Sequence, residues 1–412
     1  MKLSRKNFIK FLTLSPFVFK TFDTMGAGSN EDLPNWKFEN LKTKITDPVL
    51  IQSVELLKTM GQLFLIVKAN GKIGITQCND RMPHLLSLLK GLVIPHFVGK
   101  DARDLPILVD NAYRLNSNYK YAGMPLWNCI GTVEIACWDL LGKVAQKPVY
   151  QLLGEQIRTE YGVYISDWNR EGDPEKIANQ LLEKLSETGA KGVKIKVGGR
   201  MVNSIENTKQ TKAFIPALRK ILGDKTTIYA DANGSYSVKE GIETGKLLED
   251  YGIEIFEEPC NFEDEDGMRK VTKALKKIKM AGGEQDSSVF RFERLARTNV
   301  YDILQPDLYY NGGILKTLQV AEIAKLHHKS VAPHTPKTDP LIAPFWHVAA
   351  LITNLFGLQE CVFNLEQKKE NWYSPEIKII NGKMKIPKTY GLGIDYDESI
   401  FRCAEIIVQS GN

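Results

Sequence analysis

The chain has 412 residues, which is too many for one compact hydrophobic core, so we expect two domains. Hydrophobic residues make up 43% and charged residues 25% of the chain, as in ordinary globular proteins. The net charge of +5 is small for this length, which argues against a nucleic-acid-binding protein and is compatible with small anionic substrates. The six cysteines include no Cys-x-x-Cys pair, which argues against a zinc site or a disulfide framework.

Residues 1–30 have the order of an export signal. Four basic residues within positions 1–10 precede an apolar run at 11–19 and small residues at 26–29. The segment from Ser4 to Lys10 resembles a twin-arginine signal, with Lys6 in the place of the second arginine. We therefore expect a periplasmic or otherwise exported protein, and the alternative is an amphipathic leader on a cytoplasmic one. No other stretch is long and apolar enough to span a membrane, so we expect no membrane partner in the mature form.

Residues 31–150 predict an α+β domain. A strand at 64–67, a turn at Asn70-Gly71 and a strand at 73–75 predict a hairpin. Apolar residues then recur with helical spacing at 82–92, 105–115 and 130–153.

Beyond residue 151, short apolar strands alternate with amphipathic helices. This alternation predicts parallel βαβ units, and eight strands suggest a closed barrel with its functional residues at the C-terminal strand ends. The barrel would span 151–367. The segment 368–412 is too short for a core of its own and would pack on the N-terminal domain. The predicted strands are 161–165, 193–197, 227–230, 253–256, 280–283, 301–304, 330–332 and 361–365.

The second predicted strand carries two lysines, Lys194 and Lys196, among apolar neighbours. Residues two apart on a strand point to the same face, so both ammonium groups should project into whatever this strand lines. Two lysines on one face of a buried strand need an anionic ligand, carboxylate partners or a shifted pKa. The alternative is an exposed edge strand with two solvated lysines.

Carboxylates follow three consecutive predicted strands. Asp231, Glu257 and Glu284 each stand where an apolar run ends. Three carboxylates at the same height would repel one another, so a divalent cation is their natural partner. An all-oxygen site with open positions suits Mg²⁺. Any one of these acids could instead be a helix N-cap or a surface charge, but their common phase favours a metal site.

Three further strand ends carry polar residues. Asp307 and His334 are one βα unit apart on adjacent predicted strands, so the carboxylate can orient the imidazole and raise its basicity. The eighth predicted strand ends at Glu366.

Together these residues resemble the active site of the enolase superfamily, and within it the mandelate racemase subgroup. The resemblance covers about residues 36–400. It implies an α/β fold in which an α+β capping domain covers a modified (β/α)₇β TIM barrel. The motifs that carry it are Lys194-x-Lys196, Asp231-x-Asn233, Glu257-Glu258-Pro259, Gly283-Glu284, Asp307, Pro333-His334 and Leu365-Glu366.

The same resemblance implies roles for these residues. Mg²⁺ would be held by Asp231, Glu257 and Glu284, and a proton alpha to a carboxylate would be removed through an enediolate. A cation and ammonium groups stabilise such a dianion where its charge develops. The remaining roles would be Lys196 as one base, Lys194 as its modulator, His334 with Asp307 as the opposite acid or base, Glu366 as a donor to the substrate carboxylate and Asn233 as a substrate-binding residue.

The reaction that the resemblance favours is dehydration of an acid sugar to a 2-keto-3-deoxy acid. Racemisation, epimerisation or cycloisomerisation of a related acid is the alternative, since bases on two faces permit it. A barrel that binds sugar acids without catalysis is a third, weaker interpretation. We expect a small carboxylate substrate, no nucleic acid partner and a homo-oligomer. Substrate choice should reside in capping-domain loops near 46–52 and 77–84.

Overall fold

The computed structural model describes residues 33–364 and 371–411. The predicted export signal and Glu366 lie outside these ranges. Pro34–Asn412 forms one compact unit. In the described ranges, every helix falls short of the length and apolar character that crossing a membrane requires.

The N-terminal part combines one antiparallel sheet with a group of helices. Left-handed residues at Asn70 (φ 50°) and Gly71 (φ 67°) close the predicted hairpin, because this tight turn requires positive φ. The sheet runs in the order β15-β1-β2-β3, so the last strand of the chain completes it. Its strands are β1 (Ser53–Thr59), β2 (Gln62–Ala69), β3 (Lys72–Gln77) and β15 (Glu405–Gly411), and the helices are α1 (Leu41–Lys44), α2 (Leu86–Leu88), α3 (Leu105–Arg114), α4 (Met124–Ala145) and α5 (Val149–Leu153).

Helix α4 packs directly on strand β3. At Gly74 an added Cβ would lie 2.2 Å from the carbonyl oxygen of Ala136, so only glycine allows this approach. Residues around most of the circumference of α4 are buried, which fits a helix enclosed between the sheet and the rest of the protein.

The second part is a barrel of parallel strands with helices outside. Its strands follow the order β10-β9-β8-β7-β6-β5-β4-β11, and a bridge between Val331 and Leu355 joins its two ends. The predicted fold class is confirmed. The strands are β4 (Glu160–Ser166), β5 (Gly192–Lys196), β6 (Thr227–Asp231), β7 (Ile255–Glu257), β8 (Lys279–Gly282), β9 (Ile303–Leu304), β10 (Ser330–Val331) and β11 (Gln359–Cys361). The helices are α6 (Pro174–Thr188), α7 (Ile205–Leu222), α8 (Val238–Asp250), α9 (Glu265–Ala274), α10 (Val289–Arg297), α11 (Leu308–Asn311), α12 (Ile314–Leu326) and α13 (Ala343–Leu351).

The barrel helices begin where the sequence provides polar caps. The side chains of Asp173, Ser204 and Ser237 accept hydrogen bonds from the first-turn N–H groups of α6, α7 and α8. Helix α6 ends at Gly189 in the left-handed conformation. These caps define where the helices between the barrel strands begin and where α6 ends.

A small apolar group fills the barrel interior beneath the polar strand ends. Tyr229 and Ile255 precede Asp231 and Glu257 by two residues, so they lie on the same strand faces one step deeper. The group consists of Tyr164, Tyr229, Ile255, Ala281 and Ile303.

The C-terminal segment returns along both parts of the molecule. Strand β13 (Lys383–Lys385) pairs with β4 of the barrel, and β15 pairs with β1 of the N-terminal sheet. In the same segment, β12 (Tyr373–Ser374) and β14 (Asp395–Tyr396) form a two-stranded sheet.

A buried glutamate connects α4 with the barrel. Both carboxylate oxygens of Glu134 accept backbone N–H groups, from Ile314 and Leu315 at 3.0 Å, at the start of α12. Trp138 donates to the same carboxylate at 2.7 Å. Burial raises the pKa of Glu134 to about 7, although these three donors oppose that shift. Glycine at position 313 leaves space for the Glu134 side chain, because a Cβ there would lie 2.2 Å from the carboxylate.

We expect a buried histidine on α13 to make stability depend on pH. The Nδ1 atom of His347 accepts the backbone N–H of Tyr150 at 3.2 Å, and the side chain is fully buried. Burial lowers its pKa to about 4. The unfolded chain, with a histidine pKa near 6.5, therefore binds more protons at acidic pH, and stability is lost as pH falls from about 6.5 to about 4.

The measurement is urea unfolding of the wild type and His347→Gln, which keeps an acceptor for Tyr150. The wild type should lose about 2 kcal/mol more than the variant between pH 7 and pH 5. Equal losses in the two proteins would show that His347 does not cause the dependence.

Candidate active site

The two lysines of β5 lie inside the barrel. Lys194 is 1% exposed and Lys196 is 9% exposed. Strand β5 is paired on both sides, with β4 and β6. The exposed edge strand considered for this stretch is therefore wrong.

Each lysine is paired with its own carboxylates. The Nζ of Lys194 lies 3.1 Å from Glu257 and 2.9 Å from Glu360, while Lys196 donates to the Oδ2 of Asp231. Burial alone would lower the pKa of Lys194, but Glu257 and Glu360 outweigh it and hold that pKa well above its ordinary value. Lys194 is therefore suited to carry a lasting positive charge rather than to take up a proton.

The predicted metal-binding carboxylates are buried at neighbouring strand ends. Burial raises the pKa of Glu257 to about 7, with a further rise from Asp231 and Glu284. Burial would also raise the pKa of Asp231, but Lys196 and Lys194 outweigh it and lower that pKa to about 2. The acids thus act on one another across the site, and the ammonium groups do not neutralise them all.

A further buried acid, Glu258, adds to this group. Burial and the carboxylates of Glu284, Asp231 and Glu257 raise its pKa well above the ordinary value. Its backbone has φ of 40°, and its side chain accepts the N–H of Gly283 at 3.3 Å. A positive φ is uncommon for a residue with a side chain, and such conformations cluster at functional sites.

The donor chemistry of Asp231, Glu257 and Glu284 fits a magnesium ion. All three offer oxygen atoms only, which is the donor type that Mg²⁺ prefers. Within residues 33–364 and 371–411, however, no three acidic, histidine or cysteine side chains stand close enough to hold a metal ion. Asp231 is drawn to Lys196, and Glu284 lies 3.1 Å from the imidazole of His334. Coordination by these three acids therefore stays a prediction.

His334 and Asp307 are neighbours, as their spacing in the sequence suggested. The Nδ1 of His334 lies 2.8 Å from the Oδ2 of Asp307, and its Nε2 points to Glu284. Burial opposes the charged imidazole, but Glu284 and Asp307 outweigh it and raise the pKa of His334 to about 10. The other oxygen of Asp307 accepts the N–H groups of Tyr309 and Tyr310. Asp307 is therefore both the N-cap of α11 and the group that orients the imidazole.

Glu360 is a site residue that the sequence analysis missed. It is 3% exposed on β11, with one oxygen on Lys194 and the other 3.9 Å from the Nε2 of His334. Burial opposes its ionisation, but Lys194 and His334 lower its pKa to about 2. The eighth strand was expected at 361–365, where the apolar run is, whereas it lies at Gln359–Cys361. The role predicted for Glu366 remains a prediction, and Glu360 is the glutamate that the structure places between Lys194 and His334.

Asn233 faces Asp231 in this structure. Its backbone N–H and side-chain amide donate to the two oxygens of Asp231, at 2.8 and 3.1 Å. Its own oxygen accepts from Arg170. The substrate-binding role expected for Asn233 therefore stays a prediction, since its side chain is already engaged.

Comparison with known families decides the affiliation of the chain. Residues 44–154 match the mandelate racemase/muconate lactonizing enzyme N-terminal domain, and residues 176–400 match the enolase C-terminal domain-like family. The chain belongs to the enolase superfamily. The predicted membership of the mandelate racemase subgroup is confirmed.

Known relatives of this enolase-superfamily chain are enzymes. Arabinonate dehydratase of Saccharolobus solfataricus is 28% identical over 316 residues, which cover 76% of this chain and 81% of that protein. D-galactarolactone cycloisomerase of Agrobacterium fabrum is 26% identical over 308 residues, covering 72% and 79%. A mandelate racemase/muconate lactonizing protein from Paracoccus denitrificans, solved in complex with magnesium, has a TM-score of 0.80 at 25% identity and covers 87% of this chain and 99% of that one. The chain is therefore an enzyme, as predicted.

The capping domain of this superfamily member reaches the barrel mouth through β3. Thr76 contacts the hydroxyl of Tyr309 at 3.3 Å, and Gln77 donates to Asp339 at 3.4 Å. Tyr309 and Asp339 follow Asp307 and His334 in the chain, so the end of β3 contacts the segments that follow these two residues. The predicted part of residues 77–84 in substrate choice is not tested by this contact alone.

Proposed function

We propose that this enzyme uses Mg²⁺ to remove the proton alpha to the carboxylate of an acid sugar and then eliminates the β-hydroxyl group. The product would be a 2-keto-3-deoxy acid. The observation that supports this most is the placement of the two predicted bases around the acids Asp231, Glu257 and Glu284. Lys196 contacts Asp231, and His334, paired with Asp307, contacts Glu284. The name of the arabinonate dehydratase relative points the same way.

The reaction needs the negative charge of the substrate to be balanced as the proton leaves. Bound Mg²⁺ would supply that balance, held by Asp231, Glu257 and Glu284. Lys194 adds a positive charge of the protein itself, since Glu257 and Glu360 hold it as an ammonium group.

The two bases divide the proton transfers. Lys196, as a neutral amine, takes the α proton, and the electron pair of the broken C–H bond moves toward the carboxylate to give an enediolate. When the enediolate collapses, that pair forms the double bond between Cα and Cβ. His334 gives its Nε2 proton to the β-hydroxyl group, which leaves as water. The resulting enol then rearranges to the 2-keto acid. The pKa of His334 at about 10 suits the donor role, because the imidazole holds its proton at neutral pH.

Racemisation, epimerisation or cycloisomerisation is the second candidate. The same pair of bases favours it, since one can remove the α proton and the other can return a proton on the opposite face. The cycloisomerase relative shows that the superfamily includes such chemistry. A barrel that only binds its ligand has no support from the named relatives.

A substrate screen tests the proposed function. Monoacid and diacid sugars are incubated with the purified enzyme and Mg²⁺, and 2-keto products are detected as semicarbazones. We expect at least one acid to be consumed with stoichiometric 2-keto product. Conversion to an isomer without a keto product would favour the second candidate, and binding without turnover would refute the assignment.

We further propose that the protein is exported and forms a homo-oligomer. The support for export is the order of basic, apolar and small residues within positions 1–30. Cell fractionation and light scattering of the mature protein test the two statements.

A further inference from the structure

We propose that Arg170 is a positioning residue that fixes the predicted magnesium ligand Asp231 through Asn233. It was not singled out by the sequence, because it lies in the loop 167–173 after β4, outside every motif of the family. This inference rests on the proposed function, in which Asp231 binds Mg²⁺.

Arg170 follows β4 and makes hydrogen bonds to residues at the ends of the neighbouring strands β5 and β6. One guanidinium nitrogen, Nη1, donates to the backbone carbonyls of Val197 and Gly198, at 3.0 and 3.1 Å, just beyond β5. The other, Nη2, donates to the side-chain oxygen of Asn233, just beyond β6. The planar fork of arginine can make these bonds together, whereas a lysine ammonium group cannot span the same three acceptors.

The bond from Arg170 decides which way the amide of Asn233 faces. An amide has one accepting and one donating end, and the guanidinium group can only donate. The oxygen of Asn233 must therefore face Arg170, which turns its NH₂ group toward the Oδ2 of Asp231 at 3.1 Å. If the amide were reversed, its oxygen would meet a carboxylate oxygen and repel it.

The surrounding backbone holds this arrangement in place. Gly198 has φ of 63°, and a Cβ there would lie 2.3 Å from the hydroxyl oxygen of Ser235, so only glycine lets its carbonyl take this position. The N–H of Asp167 donates to the carbonyl of Lys194 at 2.8 Å, which fixes the start of the loop to β5. Asn233 itself has φ of 43°, a conformation that asparagine tolerates better than most residues.

Loss of Arg170 should change the affinity for Mg²⁺ in opposite directions, depending on whether the residue acts through its charge or through its hydrogen bonds. A positive charge near a cation site repels the cation, so removing it for electrostatic reasons alone would strengthen Mg²⁺ binding. Loss of a partner that orients a ligand weakens metal binding, by about 10- to 100-fold in known sites. The sign of the change therefore separates the two roles without any measurement of turnover.

The test is calorimetric titration of metal-free protein with MgCl₂ in the absence of substrate. We expect Arg170→Met to raise the Kd for Mg²⁺ about tenfold or more, and Arg170→Lys, which keeps the charge, to raise it similarly. Arg200→Met is the matched control, since Arg200 is an exposed arginine close enough to influence Arg170 electrostatically. It should leave the Kd unchanged or slightly lower.

A double-mutant cycle with Asn233→Ala tests the route. If Arg170 acts through Asn233, the double variant should bind Mg²⁺ about as weakly as the weaker single variant. Once a substrate is known, excess Mg²⁺ should restore the kcat of Arg170→Met, which separates positioning from a part in the chemistry.

The outcomes separate a failure of the proposed metal site from a failure of the role proposed for Arg170. No Mg²⁺ binding by the wild type would refute the proposed metal site. Tight binding by the wild type with an unchanged or lower Kd for both Arg170 variants, or strictly additive effects in the cycle, would overturn the role of Arg170. If Arg170→Met does not fold by circular dichroism, Arg170→Lys decides.

Discussion

Replacing Glu257 with glutamine should lower turnover about a thousandfold. The substitution keeps the size of the side chain but removes one of three carboxylates proposed to hold Mg²⁺, and a metal that stabilises developing charge contributes several kcal/mol to catalysis. It also takes one of two partners from Lys194, which lies 3.1 Å away. Removal of divalent metal with EDTA should have the same effect on the wild type, and added Mg²⁺ should restore the wild type alone.

Glu263→Gln is the matched control, because Glu263 is exposed on the surface. It should retain wild-type turnover. Metal removal is verified by elemental analysis. If the metal-free wild type then keeps its full turnover, the three carboxylates do not act by holding a catalytic metal ion.

Exchange of the α hydrogen in D₂O should separate the two bases. With a dehydratase that uses Lys196 for abstraction, His334→Asn should lose elimination by about two to four orders of magnitude, the usual contribution of general acid catalysis. It should still exchange the α hydrogen of the bound acid, because Lys196 remains. Lys196→Ala should lose both exchange and elimination. Proton NMR of the substrate reports both events in one sample.

His328→Asn is the control for the histidine substitution. His328 is exposed and has φ of 57°, which asparagine accepts, and it precedes β10 at the end of the barrel away from the site. If instead Lys196→Ala keeps hydrogen exchange and His334→Asn loses it, His334 is the base that removes the α proton. For a racemase, each variant should exchange only one enantiomer. Elimination at the wild-type rate in either variant would contradict the assignment of two bases.

Most of the barrel could be predicted because its signals are local. Short apolar strands alternate with amphipathic helices along the chain, and acids stand where successive strands end. The placement of Asp231, Glu257 and Glu284 at neighbouring strand ends followed from this alone. Asp307 and His334 were likewise expected to be neighbours, and they lie 2.8 Å apart.

The pairing of charges across the barrel could not be predicted in the same way. Spacing shows which side chains reach the site but not which ammonium group each carboxylate meets. Glu360 was missed because its strand is only three residues long and begins before the apolar run that suggested it. Arg170 escaped notice because a loop residue that binds backbone carbonyls leaves no periodic trace.

The carboxylate of Glu134 has a consequence for how such a protein can diversify. It attaches the capping domain to the start of α12 from the middle of α4, whereas the contact with Tyr309 comes from Thr76 at the end of β3. The contacts of Glu134 and the loop predicted to choose the substrate thus lie in different stretches of the chain. If residues 77–84 choose the substrate, exchanging them for the corresponding loop of a relative would leave the Glu134 contacts in place, provided that the buried Met82 and the hydrogen bond from Asn128 to Asn79 are kept.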